Sequence, residues 1–256
     1  MLRFRSISPL VALLVGVATL GAPNKAQATF QIFLQEAGVN GGNITMVASG
    51  VDFSLAGATF TGVYGDFTVQ VFGSTSDNGI MGGSLSDLMA STTSVTNNTG
   101  TEHTLKLWTS QTGYTLPVGA TLRVESGLGG SVSQGTIGMS GIFQAFADKG
   151  NDLLTAGTLT GGAAVTDYTN GPQTGVPTGS TFDTGSASGA FSRDGTPYSL
   201  TSVATFDMSG GAKGNFSDHV NVTPVPAPAG LMLAASGVPA LALGWLRRRK
   251  VKVQKS

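Results

Sequence analysis

The chain contains no cysteine. Structural disulfides, thiol catalysis and cysteine-based zinc sites are therefore excluded. Charge is sparse: Asp, Glu, Lys and Arg make up 11% of the residues. Only two histidines, His103 and His219, are present to act as a general base or a nitrogen ligand. Glutamate occurs only at Glu36, Glu102 and Glu125. No long amphipathic helical pattern is present. What is abundant is glycine, 38 residues, together with Ser and Thr, while aromatic and β-branched residues recur throughout. Disorder would need lower hydrophobicity and denser charge. This mixture suits a β-rich domain with many tight turns.

The two ends differ from the middle. At the N-terminus, Arg3 and Arg5 precede an apolar run from Ile7 to Leu20, followed by Ala26-Gln27-Ala28. A basic start, an apolar core and small residues at an A-x-A site are the marks of a secretory signal peptide. Residues 1–28 are read as that signal, with cleavage leaving Thr29 first. The translocon and signal peptidase are the implied partners.

At the C-terminus, Ala229 to Leu246 is an uncharged run of 18 residues. As a helix it would extend roughly 27 Å, close to the ~30 Å hydrocarbon core of a bilayer. The cations Arg247, Arg248, Arg249 and Lys250 follow it. Lysine and arginine beside a span stay cytoplasmic, so the expected topology has the body outside and the tail inside.

The C-terminal order is Val225-Pro226-Ala227-Pro228, the apolar helix with Gly237, then Arg247–Lys250. It resembles the PEP-CTERM sorting signal of bacterial exported proteins, a motif also labelled after the C-terminus of an ice-binding protein. Ala227 stands where that signal usually carries glutamate. The resemblance covers residues 223–256 and implies recognition in the inner membrane by an exosortase. Cleavage near the proline motif would then release the protein to the cell surface or the exopolysaccharide matrix. The alternative is an uncut, permanently anchored ectodomain.

Between the ends lies a body of about 195 residues, residues 29–222 with the junction, large enough for one domain with its own core. All 14 acidic residues of the chain fall in it. Its cations are only Lys106, Arg123, Lys149, Arg193 and Lys213, so it is strongly acidic, and nucleic acid is not an expected partner.

Strand patterns recur every 10–15 residues. Thr29–Glu36, His103–Gln111, Thr121–Ser126 and Tyr198–Met208 alternate most clearly. Asn43–Val51, Val63–Phe72, Thr136–Asp148 and Asn215–Val222 are further strands. Leu85, Leu88 and Met89 have the spacing of a single helical turn. Gly127–Gly135 reads as a loop or flat hairpin, and Asn170–Gly185 as an exposed loop. The expected fold is all-β, a sandwich or jelly roll followed by the C-terminal transmembrane helix; a β-solenoid is the alternative.

No catalytic set is legible. Neither histidine has a nucleophile elbow nearby. Glu125 is expected to face outward beside Arg123 rather than to pair with a second carboxylate. Gly127-Leu128-Gly129-Gly130 lacks the spacing of a phosphate-binding loop. No cofactor and no metal site is expected. Asp148-Lys149-Gly150-Asn151-Asp152 and Asp77-Asn78-Gly79 leave calcium as the alternative to ordinary turn capping.

Trp108 is placed opposite Leu105 and Leu107 by strand alternation and is the first candidate to stack on a sugar ring, ahead of Tyr114 and Tyr168. The expected function is therefore a non-enzymatic surface or matrix protein. A carbohydrate-binding module of that matrix is the second reading.

Overall fold

A computed structural model describes residues 29–51, 57–74, 86–153, 168–193 and 197–225. The signal-peptide residues Ala26 and Ala28, the Asp77-Asn78-Gly79 turn, and the sorting-motif residues Pro226 to Lys250 lie outside the described residues. Among the described residues, no helix is long and apolar enough to cross a membrane.

The described chain is built of fourteen strands: β1 Thr29–Glu36, β2 Thr45–Val51, β3 Thr59–Tyr64, β4 Phe67–Ser74, β5 Ser86–Asn97, β6 His103–Tyr114, β7 Thr121–Gln134, β8 Phe143–Asp148, β9 Tyr168–Gln173, β10 Val176–Thr178, β11 Thr181–Asp183, β12 Ala187–Ser192, β13 Tyr198–Met208 and β14 Lys213–Pro224. They form two antiparallel sheets. One has six strands in the order β2-β1-β6-β13-β8-β9. The other has eight, β10-β11-β7-β14-β5-β4-β3, with β12 also pairing β7. This is a sandwich of two antiparallel layers and not a solenoid.

The strands form where side chains alternate between core and surface. Phe30, Ile32 and Leu34 of β1 and Leu105 and Leu107 of β6 turn inward from the six-stranded sheet. Phe67, Val69 and Val71 of β4 and Val220 and Val222 of β14 meet them from the eight-stranded sheet. Phe206 on β13 stacks on Phe216 on β14, with ring centres 4.1 Å apart, which locks the layers across the core.

A buried carboxyl group crosses this core. Asp218 on β14 is fully buried; its Oδ1 accepts the Ala90 N–H at 2.8 Å and its Oδ2 accepts the Ser202 hydroxyl at 2.9 Å. Ser202 Oγ lies 2.7 Å from Thr109 Oγ1, so the carboxyl group joins both sheets through one hydroxyl chain. Burial pushes the Asp218 carboxyl up to about 7; the bonds from Ser202 and Ala90 oppose the rise and the nearby Asp87 adds to it.

Several expected elements differ. The strand expected over Val63–Phe72 is a hairpin instead. Gly65 adopts a φ of +57°, so the chain reverses between Tyr64 and Phe67. Leu88 and Met89 lie in β5 rather than in a helical turn, because Leu88 and Ala90 face the core while Met89 faces out. The glycine-rich 127–135 stretch continues β7 through Gln134, held on both sides by β14 and β11. Thr136–Asp148 is a strand only from Phe143; before it, Ile137 makes an isolated bridge to Met208. The loop expected over Asn170–Gly185 carries β9, β10 and β11.

Candidate functional site

The outer face of the eight-stranded sheet is set by the alternation of β14. Phe216, Asp218 and Val220 point inward, so Asn215, Ser217 and His219 point out. Register places Ser217 between Ser91 on β5 and Gly129 on β7, and places Phe72 on β4 next to Ser91. A row of side chains thus runs Phe72, Ser91, Ser217, Gly129 across four strands.

Gly129 contributes no side chain to that row, and a shallow groove of about 470 Å³ lies there. Ser91, Gly129, Ser131, Asn215 and Ser217 line it, with Gly130 and Phe216 completing the lining. The lining holds hydroxyls and an amide but no charged group, and it can both donate and accept hydrogen bonds. Phe72, next to Ser91 in the same row, has 42% of its surface exposed, and Met89, on the same face, is 39% exposed.

Trp108 does not occupy such a position. Its side chain leaves the sheet on the face opposite Leu105 and Leu107. However, Phe33 and Val203 flank it in register on β1 and β13, and with Ile44 they form a second apolar cluster on that face. Trp108 is only 3% exposed and has no free ring face for a sugar. Tyr114 is buried in the core, stacked on Tyr198 with its hydroxyl donating to Gln111. Tyr168 is half-buried against Asn170.

Glu125 faces outward as expected, 3.7 Å from Arg123, and also accepts the Ser186 hydroxyl. His219 lies on the outer face across from Gly127. In the Asp148–Asp152 turn, the two Asp148 oxygens accept the amides of Gly150 and Asp152, which is turn capping.

A second polar cluster sits at one end of the sandwich. Glu36 ends β1, His103 begins β6, and Asp66 occupies the β3–β4 turn. His103 Nδ1 is 3.0 Å from Asp66 Oδ2 and 3.7 Å from Glu36 Oε1. The Asp66 N–H donates to both oxygens of Glu36, at 3.0 and 3.3 Å. A Cβ on Gly65 would lie 1.9 Å from Glu36 Oε2, so glycine is what lets the turn close over the carboxylate. Burial raises the Glu36 pKa, the Asp66 amide opposes this, and the Asp66 carboxyl adds to it. Sequence reasoning missed this cluster, because its members are brought together by strand pairing and carry no shared motif.

No family model matches the chain, and no curated protein matches it. Among solved structures it is similar to TmCBM61 in complex with beta-1,4-galactotriose, at 10% identity and a TM-score of 0.23, covering 60% of this chain and 86% of that one. It is also similar to the K1 cleaved adhesin domain of Lys-gingipain from Porphyromonas gingivalis, at 9% identity and a TM-score of 0.22, covering 64% of this chain and 94% of that one. Likeness this faint carries no argument about ligand or activity.

Proposed function

We propose that the chain is an exported, non-enzymatic surface or matrix protein whose sandwich binds neutral carbohydrate along the groove of the eight-stranded sheet. The observation that carries the binding reading is the groove lined by serines and Asn215, bordered by Asp183 beside Gly129, with Phe72 exposed next to Ser91 in the same row. Hydroxyls and an amide match the hydroxyls of a sugar, and an apolar ring suits the apolar face of a pyranose.

Covering ~55 Å² of the Phe72 ring contributes about 1.4 kcal/mol at ~25 cal/mol per Å², or tenfold in affinity. Phe72→Ala should therefore weaken binding to the host's exopolysaccharide, or to neutral oligosaccharides cut from it, about tenfold at an unchanged thermal midpoint. Gly129→Val should block the groove; a Cβ there meets only ordinary contacts, the nearest at 3.6 Å. Titration calorimetry checks both, and unaltered binding in both variants would sink the carbohydrate reading.

Export and sorting rest on the Ala26-Gln27-Ala28 site and the Val225–Pro228, Gly237 and Arg247–Lys250 signal. β14 runs to Pro224, at the threshold of that signal. Intact mass of the native protein in membrane and extracellular fractions is expected to show a species starting at Thr29 and ending near Val225–Pro228, outside the membrane. A membrane-bound species that keeps Arg247–Ser256 would instead mean an anchored ectodomain, with no exosortase step.

A further inference from the structure

Glu36, Asp66 and His103 each offer one ligand atom, and these atoms lie within 4.8 Å of one another. We propose that they form a binding site for a divalent cation of the zinc class, held by one imidazole nitrogen and two carboxylate oxygens. An ion about 2.0–2.1 Å from each ligand in tetrahedral geometry needs ligand atoms ~3.3 Å apart. The observed 3.0 and 3.7 Å separations from His103 Nδ1 straddle that value, and the two carboxylate oxygens lie within 4.8 Å of each other.

Two further observations favour an ion. The Glu36 side chain is only 1% exposed, and it meets the Asp66 amide together with the Asp66 carboxyl, a second acid at close quarters. A buried carboxyl beside another acid gains from a positive partner. On the far side of the ring, His103 Nε2 lies 3.0 Å from Thr101 Oγ1. A proton held on Nε2 and donated to Thr101 leaves the Nδ1 lone pair facing two carboxylates, which is the outer hydrogen bond of a metal-bound histidine. Imidazole among the ligands selects the zinc class over calcium and magnesium, which take oxygen alone.

The site is built rather than incidental. Asp66 is fixed at both backbone ends: its N–H bonds Glu36, and its carbonyl accepts the Asn98 N–H at 2.9 Å. The three ligands come from β1, the β3–β4 turn and β6. A bound ion would therefore fasten a hairpin of one sheet to two strands of the other.

The test is titration of Zn²⁺ into the chelator-treated full chain, followed by calorimetry and by the thermal midpoint. One ion per chain is expected, with a midpoint raised by several degrees. Asp66→Asn, at a turn position 43% exposed and so compatible with the fold, should weaken binding at least tenfold, as should His103→Asn. His219→Asn should change nothing. Absence of saturable binding, or Zn²⁺ affinity that survives both Asp66→Asn and His103→Asn, overturns the assignment. Ca²⁺ binding as tight as Zn²⁺ overturns the role given to the imidazole.

Discussion

An Asp218→Asn variant is expected to be more stable than the parent protein at pH 8 and about equally stable at pH 4. The folded state holds the Asp218 proton up to about pH 7, against an ordinary value of 3.8 for the free group. Between those values the folded protein binds more protons than the unfolded chain, so stability falls as pH rises, and the loss is complete above about pH 7. A shift of that size corresponds to roughly 4 kcal/mol at pH 8.

Asparagine keeps the shape of the side chain. Its Oδ1 can accept the Ala90 N–H and its Nδ2 can donate to Ser202, whose hydroxyl then turns toward Thr109. The charge is lost and the hydroxyl chain between the sheets is kept. Denaturant unfolding of both proteins from pH 4 to 8.5 checks this. The difference between the two curves isolates Asp218 from other titrating groups, Glu36 among them. Parallel pH profiles would show that Asp218 is ionised in the fold at no cost.

The second large effect is at Trp108. Replacement by alanine should cost about 3–5 kcal/mol, because it empties a site packed between Phe33 and Val203. For a domain of this size that lowers the thermal midpoint by on the order of 10 °C. Trp108→Phe should lose distinctly less. It retains an aromatic ring and removes an indole N–H that is buried with no hydrogen-bond partner among the described residues. Such an orphan donor costs ~1–3 kcal/mol. Circular dichroism melts of the two variants give the comparison. A Trp108→Ala protein that melts with the parent would place the indole at the surface and restore it as a ligand contact.

Trp108 also illustrates what the sequence could and could not convey. Alternation alone assigned its face. It could not say that Phe33 and Val203 would flank it, since their strands arrive from far along the chain. The same division holds for the fold. Thr29–Glu36 and Tyr198–Met208 were read with their observed boundaries, because apolar residues recur there at every second position over a long stretch. Gly127–Gly135 could not be read so. Glycine has no side chain to mark a face, and the stretch is a strand only because β14 and β11 supply partners on both sides. In Val63–Phe72 the spacing of Val63 runs on into Phe67, Val69 and Val71 and hides the reversal at Gly65-Asp66, although Val63 is exposed and Tyr64 is the residue that faces the core.

The sites were less legible than the fold. The groove depends on which residues of β5, β7 and β14 lie abreast, and pairing register is a property of the sheet. In the sequence Glu36 is one of three scattered glutamates and His103 one of two scattered histidines, and no motif marks Asp66. Their meeting follows from the β1–β6 pairing, which sets Glu36 opposite Leu105, two residues from His103.

The central position of β14 has a mechanical consequence. This last strand is bonded along its length to β5 on one side and β7 on the other. Antiparallel ladder bonds run perpendicular to the strand. Tension drawn along the chain from Pro224 therefore loads both ladders in shear, and many bonds must yield together before the strand slides. The first strand, β1, is likewise flanked by β2 and β6, and its Thr29 end lies at the same end of the sandwich as Pro224, through Thr112 and the Tyr114–Asp87–Asn221 contacts. A sandwich held at Pro224 and loaded at its far end would resist pulling as a clasp does, rather than opening bond by bond like a zip.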